Sequence, residues 1–506
     1  MELGLGFSIL LGMIMGWLFW WKWKNKNNKE MEKKDDGDGG TIPKGSLGWP
    51  LIGETLDFIT CGYSSRPVSF MEKRKSLYGK VFKSNLLGLP VIVSADPYVS
   101  KVVLQNDGST FVPSYPKSLT ELLGKDSILQ MSGSMHKRVH GLIGSFLKSP
   151  QFKSRITREI QMSVLISMEN WKDKNPVYIQ EETKKITFEV LIMVLMSIGP
   201  GEELEFLRRE FGEFIKGLIC LPIKLPGTRF HKSLKAKERM VKMVRRIVEE
   251  KKLKLERTTA TESESEGEGE RGRRPIMDVV DVFLCDAVES NNMQQQQQRP
   301  SEVISENLIE MMIPGEDSVP TLMTFAVKYL SDSPLALKQL TEENMELKRR
   351  KDSTAEEYDW MDYMSLPFTQ DVISETLRMT NIINAVWRKA RKDVIIKGYL
   401  IPKGWCVMTS FASIHLDEEN YENPYQFDPW RWQKKEGNLS NSNCFTPFGG
   451  GQRLCPGFEL SRLEVSIFLH HLVTRYRWVA EEDYSISFPT VKMKKKLPII
   501  VTPISL

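Results

Sequence analysis

One cysteine, held in a glycine-rich loop ahead of a long apolar helix, constrains this chain more than any other feature. The loop runs Phe448-Gly449-Gly450-Gly451-Gln452-Arg453-Leu454-Cys455-Pro456-Gly457, and an apolar helical run from Leu460 to Val473 follows it. Glycines such as Gly451 let backbone N–H groups approach a sulfur, and hydrogen bonds to a thiolate tune its strength as a donor. Pro456 and Gly457 turn the chain into the helix, whose N-terminal dipole favours an anionic sulfur. Arg453 adds a positive charge nearby. A lone cysteine in a turn reads as a buried structural residue. With five positions specified around it, Cys455 reads instead as a thiolate that binds a metal.

The chain has 506 residues, 41% of them hydrophobic and 27% charged, which is ordinary for a globular protein and compatible with one large enzyme domain. A net charge of +5 is small for this length and gives no reason to expect nucleic acid as a partner. The six cysteines, Cys61, Cys220, Cys285, Cys406, Cys444 and Cys455, are scattered without paired spacing. Neither a disulfide framework nor a zinc site follows, and a reducing compartment fits.

The N-terminus reads as an anchor. Leu3 to Trp21 is a run of nineteen residues without a charge, long enough to span a bilayer. Trp17, Trp20, Trp21 and Trp23 crowd its end, and Lys22, Lys24, Lys26 and Lys29 follow, which places the rest of the protein in the cytosol. The expected division is a membrane anchor over 1–22, a polar linker and Pro/Gly hinge over 23–50, and a catalytic domain over 51–506.

The body reads as mainly α with small β-sheets. Helical periodicity is strong over Phe188–Ile198, Phe206–Ile219, Leu234–Leu255, Ser305–Leu330 and Leu335–Lys348. Short strands are expected at Val81–Ser84, Pro90–Ser94, Val394–Ile396, Cys406–Met408 and Ile499–Val501. Thr258–Arg274 and the glutamine-rich Asn291–Pro300 are too polar to bury and read as linkers or surface loops, with a short helix at Met277–Ala287 between them.

Two further constellations carry chemistry. Glu375-Thr376-Leu377-Arg378 puts a carboxylate and a guanidinium on one helix face, a pairing common on surfaces when it stands alone. Met312-Ile313-Pro314-Gly315-Glu316-Asp317-Ser318-Val319-Pro320 lies inside an expected long helix. Pro314 cannot donate to the Glu310 carbonyl, nor Pro320 to that of Glu316, so the helix is expected to be distorted there. The plain alternative is a helix break carrying a surface acidic pair.

The spacing Phe-x-x-Gly-x-Arg-x-Cys-x-Gly resembles the haem-binding loop of cytochromes P450, and the order Glu375-x-x-Arg378, then Arg431 in Phe427–Trp432, then Cys455 strengthens the likeness. It covers roughly residues 43–506. The resemblance implies the P450 fold, preceded by one transmembrane helix, and a haem b held by Cys455, whose thiolate pushes electron density to iron. It implies that Arg431 joins Glu375 and Arg378 in a buried triad, and that Phe448, Gly451 and Gly457 line the haem. Asp317 and Ser318, with Glu316 beside them, would relay protons; the family more often has threonine at 318 and alanine or glycine at 314. Arg453 and Arg388 would pair with the haem propionates. His136 and His140 stand where the family usually has tryptophan and arginine, and either read as weaker propionate donors or as surface residues.

Gly48–Thr55, Leu221–Arg229, Glu316–Pro320, Ile401–Cys406 and Phe445–Arg453 are similar to plant steroid hydroxylases of brassinosteroid synthesis, specifically those that act at C-23 of the steroid side chain. The activity implied is a monooxygenase that uses O2 and electrons from NADPH through a separate P450 reductase, on a C-22-hydroxylated steroid, at the endoplasmic reticulum membrane. Pocket walls are expected from Phe111–Gln130, Met311 and Met312, Ile382–Val386 and Phe488–Val491. Rival readings are a P450 acting at C-22 or on a terpenoid such as a gibberellin precursor or abscisic acid, a P450 isomerase, and a non-catalytic haem-binding membrane sensor.

Overall fold

The computed structural model describes residues 39–504 apart from 51, 65–67, 172–174, 265–275, 293–299, 434–442 and 488–489. The expected anchor at 1–22 lies outside the described residues. So do most of the linker, the cores of both polar stretches, and Phe488-Pro489 of the late loop. Among the described residues no helix is long and apolar enough to cross a membrane.

The principal helices are α1 (Pro97–Gln105), α2 (Gly133–Lys148), α3 (Pro150–Glu169), α4 (Ile179–Met196), α5 (Glu202–Ile215), α6 (Arg229–Glu264), α7 (Val279–Asn292), α8 (Ser301–Met311), α9 (Val319–Asp332), α10 (Pro334–Thr354), α11 (Pro367–Thr380), α12 (Phe411–His415) and α13 (Phe458–Arg475). Local chemistry starts several of them. Asp96 caps α1 by accepting from Val99 N at 2.9 Å, and Ser149 caps α3, each with proline at the first helical position. Two expectations need correction. Residues 258–264 of the polar stretch continue α6, and the short helix expected to end at Ala287 runs to Asn292. Polarity alone does not end a helix, which can continue on a solvated face without burying its side chains.

The two expected early strands form a hairpin. Strands β1 (Val81–Leu86) and β2 (Leu89–Ser94) pair antiparallel with Val81 opposite Ser94. Not every late strand stands apart from the early hairpin. β2 also pairs in parallel with the late strand β5 (Cys406–Ser410), in a five-stranded sheet of order β1-β2-β5-β4-β3 that includes β3 (Phe111–Pro113) and β4 (Ala385–Ala390). Residues more than three hundred positions apart thus share one ladder, with Val91 opposite Cys406.

The largest core forms where α3, α4, α9, α10, α11 and α13 meet. Every residue of α13 from Leu463 to Thr474 is buried, so this helix is enclosed nearly all round and carries several polar side chains with it, Glu464, His470 and His471 among them. His470, on this helix, is suited to its surroundings only when neutral. Its Nδ1 lies 3.0 Å from Asn344 Oδ1, with Tyr358 and Tyr363 packed edge-on against its ring.

Burial pushes His470 and His415 down from 6.5 to about 3. Both therefore stay neutral in the folded protein, whereas the unfolded one binds their protons below about 6.5. A folded pKa below the unfolded one gives stability that is complete above that value and is lost as pH falls towards 3. Each contributes a slope of up to about 1.4 kcal/mol per pH unit in that window. The thermal transition is expected to drop between about pH 7 and about pH 5, and His470→Asn should flatten that drop. A transition temperature that does not move over this range would contradict the assignment.

Candidate active site

Glu375 is buried and hydrogen-bonded on both carboxylate oxygens. Arg378, one turn along α11, grips the carboxylate with two bonds, Nη2 to Oε1 at 2.8 Å and Nε to Oε2 at 2.9 Å. Arg431, from the turn Pro429–Trp432, adds Nε to Oε1 at 2.9 Å. The side chains of Glu375 and Arg378 are wholly inaccessible to solvent. The sequence-predicted triad is thus brought together. Trp432 does more than keep aromatic character, because its Nε1–H also donates to Glu375 Oε2 at 3.1 Å, which phenylalanine could not do. The spare guanidinium N–H groups bind backbone carbonyls. Arg378 Nη1 donates to His415 at 2.8 Å and to Pro424 at 2.7 Å, and Arg431 Nη1 donates to Glu422 at 2.9 Å.

The cysteine loop is seated against α1. Gly451 has φ +64°, and a Cβ there would lie 2.2 Å from the Leu104 carbonyl oxygen, so only glycine fits. Cys455 N–H donates to the Phe448 carbonyl at 3.1 Å, closing the loop on itself. Burial pushes the thiol above its ordinary range, while the Gly457 N–H pulls the other way.

Around this loop the structure gathers Arg453, Arg388, His136 and His140, together with Asp107, a residue that sequence reasoning missed. One carboxylate oxygen faces each arginine. Arg453 Nε donates to Asp107 Oδ2 at 2.7 Å, and Arg388 Nε lies 3.2 Å from Oδ1. Arg453 also donates to the Leu129 and Met131 carbonyls. His136 is buried and held down to about 4, by desolvation first and then by Arg453. His140 is committed to the loop itself, with Nε2 at 2.6 Å from the Leu454 carbonyl.

On the long central helix the distortion expected from the two prolines takes a definite form. Pro314–Ser318 is a single π-turn between α8 and α9, with Val319 N–H reaching back to the Pro314 carbonyl. Gly315 lets this turn press on α4, since a Cβ would lie 2.7 Å from Leu191 Cδ2, and Thr187 Oγ1 donates to the Gly315 carbonyl at 2.6 Å. Lys184, one turn earlier on α4, sits 2.6 Å from Glu316 Oε1 and 3.9 Å from Asp317 Oδ1. Glu316 is therefore the main partner of Lys184. Burial pushes the Asp317 carboxyl upward against the pull of Lys184 and Lys492. Ser318 is half-buried. Among the described residues no hydrogen bond or ion pair joins Glu316, Asp317 or Ser318 to the cysteine loop.

One expected pocket wall is corrected. Phe111 is fully buried against Val99, Val103, Ile401 and Val407 beneath the sheet, because its position in β3 points it there. Met312 and Val491 are buried in the main core, where Thr321 Oγ1 ties α9 to the late loop through the Val491 carbonyl at 3.3 Å.

A thiolate-capable cysteine in this loop, a buried Glu-Arg-Arg lock and a π-turn bearing an acid and a hydroxyl define a haem-thiolate monooxygenase. The family model for cytochrome P450 matches residues 43–503, and the chain belongs to that family. It is 59% identical over 99% of its length, and over 92% of the relative, to the 3-epi-6-deoxocathasterone 23-monooxygenase CYP90C1 of Arabidopsis thaliana. It is 54% identical, over 91% of its length and 89% of the other, to a second Arabidopsis thaliana 23-monooxygenase, CYP90D1. The fold matches that of the retinoic acid-bound cyanobacterial CYP120A1 with a TM-score of 0.77 at 23% identity, over 92% of this protein and 100% of that one.

Family and fold imply haem, and the residues present fit it. Arg388 Nε is buried yet makes no well-aligned hydrogen bond, so this cluster has a donor left for a further anionic group. The loop offers one cysteine, backbone N–H from Gly457 and no competing acid.

Glu375→Gln would leave two buried guanidinium groups without their counter-charge, at a cost of about 3–5 kcal/mol. The variant is expected to show a lower thermal midpoint and a lower haem-to-protein ratio. An unchanged ratio together with an unchanged midpoint would contradict this reading of the triad.

Proposed function

We propose that this enzyme hydroxylates C-23 of the side chain of a C-22-hydroxylated plant steroid in brassinosteroid biosynthesis. The observation that carries the proposal is the likeness over 99% of the sequence to a relative named as a 23-monooxygenase. In this reading Cys455 would hold the haem iron through its sulfur, Arg388, Arg453 and His136 would pair with the propionates, and Phe448, Gly451 and Gly457 would frame the sulfur. The haem supplies activation of O2. One oxygen atom enters the C–H bond and the other leaves as water, with two electrons and two protons consumed.

The protein's own residues manage the protons and the water. Lys184 draws Glu316 aside, leaving Asp317 to exchange a proton with Ser318. Burial raises the Asp317 carboxyl above its ordinary value, so it holds a proton more readily than an exposed aspartate does. The buried apolar face of α9, with Val491 packed in the same core, excludes bulk water.

The proposal includes residues 1–22 as a single membrane anchor, 23–50 as linker and hinge, and 51–506 as a cytosolic catalytic domain at the endoplasmic reticulum. It also includes electron supply from an NADPH–cytochrome P450 reductase. The uncharged run Leu3–Trp21 with its lysine-rich flank supports the first of these.

Microsomes containing the protein and a plant reductase, fed a C-22-hydroxylated C28 sterol, are expected to give a new C-23 hydroxyl. The product should depend on NADPH and vanish in Cys455→Ala. A hydroxyl at C-22 of an unhydroxylated sterol, or a product only from terpenoids, would overturn the positional assignment and keep the family. Ser318→Ala is expected to lower product formed per NADPH consumed and to cut turnover by about 10²-fold, with Ser318→Thr close to wild type. Equal coupling in the alanine variant would remove Ser318 from the proton path.

A further inference from the structure

His415 takes no part in the haem-facing cluster or the proton path, yet it sits buried between the Glu375 lock and the cysteine loop. Its hydrogen bonds fix its tautomer. The Thr446 N–H can only donate, so His415 Nε2, 3.0 Å away, is an unprotonated acceptor. The neutral ring therefore carries its proton on Nδ1, which donates to Asn381 Oδ1 at 2.7 Å. Asn381 is oriented for this role, because its Nδ2 donates to the Arg378 carbonyl at 2.8 Å. Arg378 Nη1 donates in turn to the carbonyl of His415 itself at 2.8 Å.

The other end reaches the sulfur-bearing residue. Gly449 N–H donates to the Thr446 carbonyl at 3.0 Å, and Cys455 N–H donates to the Phe448 carbonyl at 3.1 Å. The ring is packed between Phe411 and Phe445, and Phe445 is itself clamped by Trp432, a ligand of Glu375. A connected path of hydrogen bonds and ring contacts thus runs from Glu375 through Arg378, Asn381 and His415 to the loop that carries Cys455.

We propose that His415 is a positioning residue for the thiolate, passing the geometry of the Glu375–Arg378–Arg431 lock to the cysteine loop through a neutral Nδ1–H imidazole. The proposal rests on Cys455 as the haem ligand. Burial and the adjacent Arg378 guanidinium keep the ring unprotonated, which preserves the acceptor that Thr446 needs.

The test uses the full-length protein in microsomes and the reduced carbon monoxide spectrum, which separates thiolate-bound from thiol-bound haem without any steroid. His415→Leu removes donor and acceptor together. His415→Gln offers one of each at a similar separation. The leucine variant is expected to retain haem but to convert from the thiolate-type to the thiol-type band at least about tenfold faster, and the glutamine variant to stay within about threefold of wild type. Should His415→Leu fail to fold, Asn381→Gly breaks the path on its other side. Asn381 has φ +48°, so glycine keeps that backbone, and faster conversion is expected there too. Conversion at the wild-type rate in the leucine or glycine variant would overturn the proposal, as would equal acceleration by glutamine and leucine. A wild-type protein without a thiolate-type band would overturn Cys455 as ligand and this proposal with it. A normal wild-type band without C-23 hydroxylation would overturn the substrate assignment alone.

Discussion

Everything near the thiolate depends on one carboxylate removed from water. Glu375 lies between two guanidinium groups and an indole N–H, which together replace its hydration. Such a buried ion pair adds little net stability compared with apolar packing, because desolvation of the charges consumes most of the attraction. Its value lies in specificity. The bidentate geometry admits one arrangement of Arg378, and the remaining N–H groups of both arginines bind carbonyls between residues 415 and 431. A stretch of backbone with little regular structure is thereby held by charge-assisted bonds in place of a helix or sheet ladder.

The two faces of the site are held by different physics. The cysteine loop is positioned by close backbone packing on α1 and by a cluster of positive charge that shares Asp107. The π-turn is positioned by helix packing, where Gly315 lets α4 approach and Lys184 pairs with Glu316. Separate supports let residues of the π-turn vary without disturbing the cysteine loop. Proline at 314, where the family more often has a small residue, opens the π-turn, in which the Val319 N–H reaches back to the Pro314 carbonyl.

Much of the site was legible in the sequence because its parts are local. The spacing around Cys455, the i, i+3 pair Glu375 and Arg378, and the two prolines around Asp317 each express their chemistry within about one turn of backbone. The membership of Arg431 came only with the family resemblance, since nothing local ties it to a helix some fifty residues earlier. Asp107, Lys184 and His415 left no signal at all. An acid after a helix, a lysine within one and a histidine in a short turn are ordinary residues until the fold sets them beside Arg453, Glu316 and Thr446.

The division has a physical cause. Hydrophobic period, proline and glycine placement and motif spacing act through neighbouring residues, so they decide which segments are helical, where the central helix is distorted and which sulfur can bind a metal. Hydrogen-bond partners of buried charged and polar groups act through space. The pairing of β2 with β5, the sharing of Asp107 by two arginines and the tautomer of His415 were decided only when burial forced each polar group to find a partner from a distant part of the sequence.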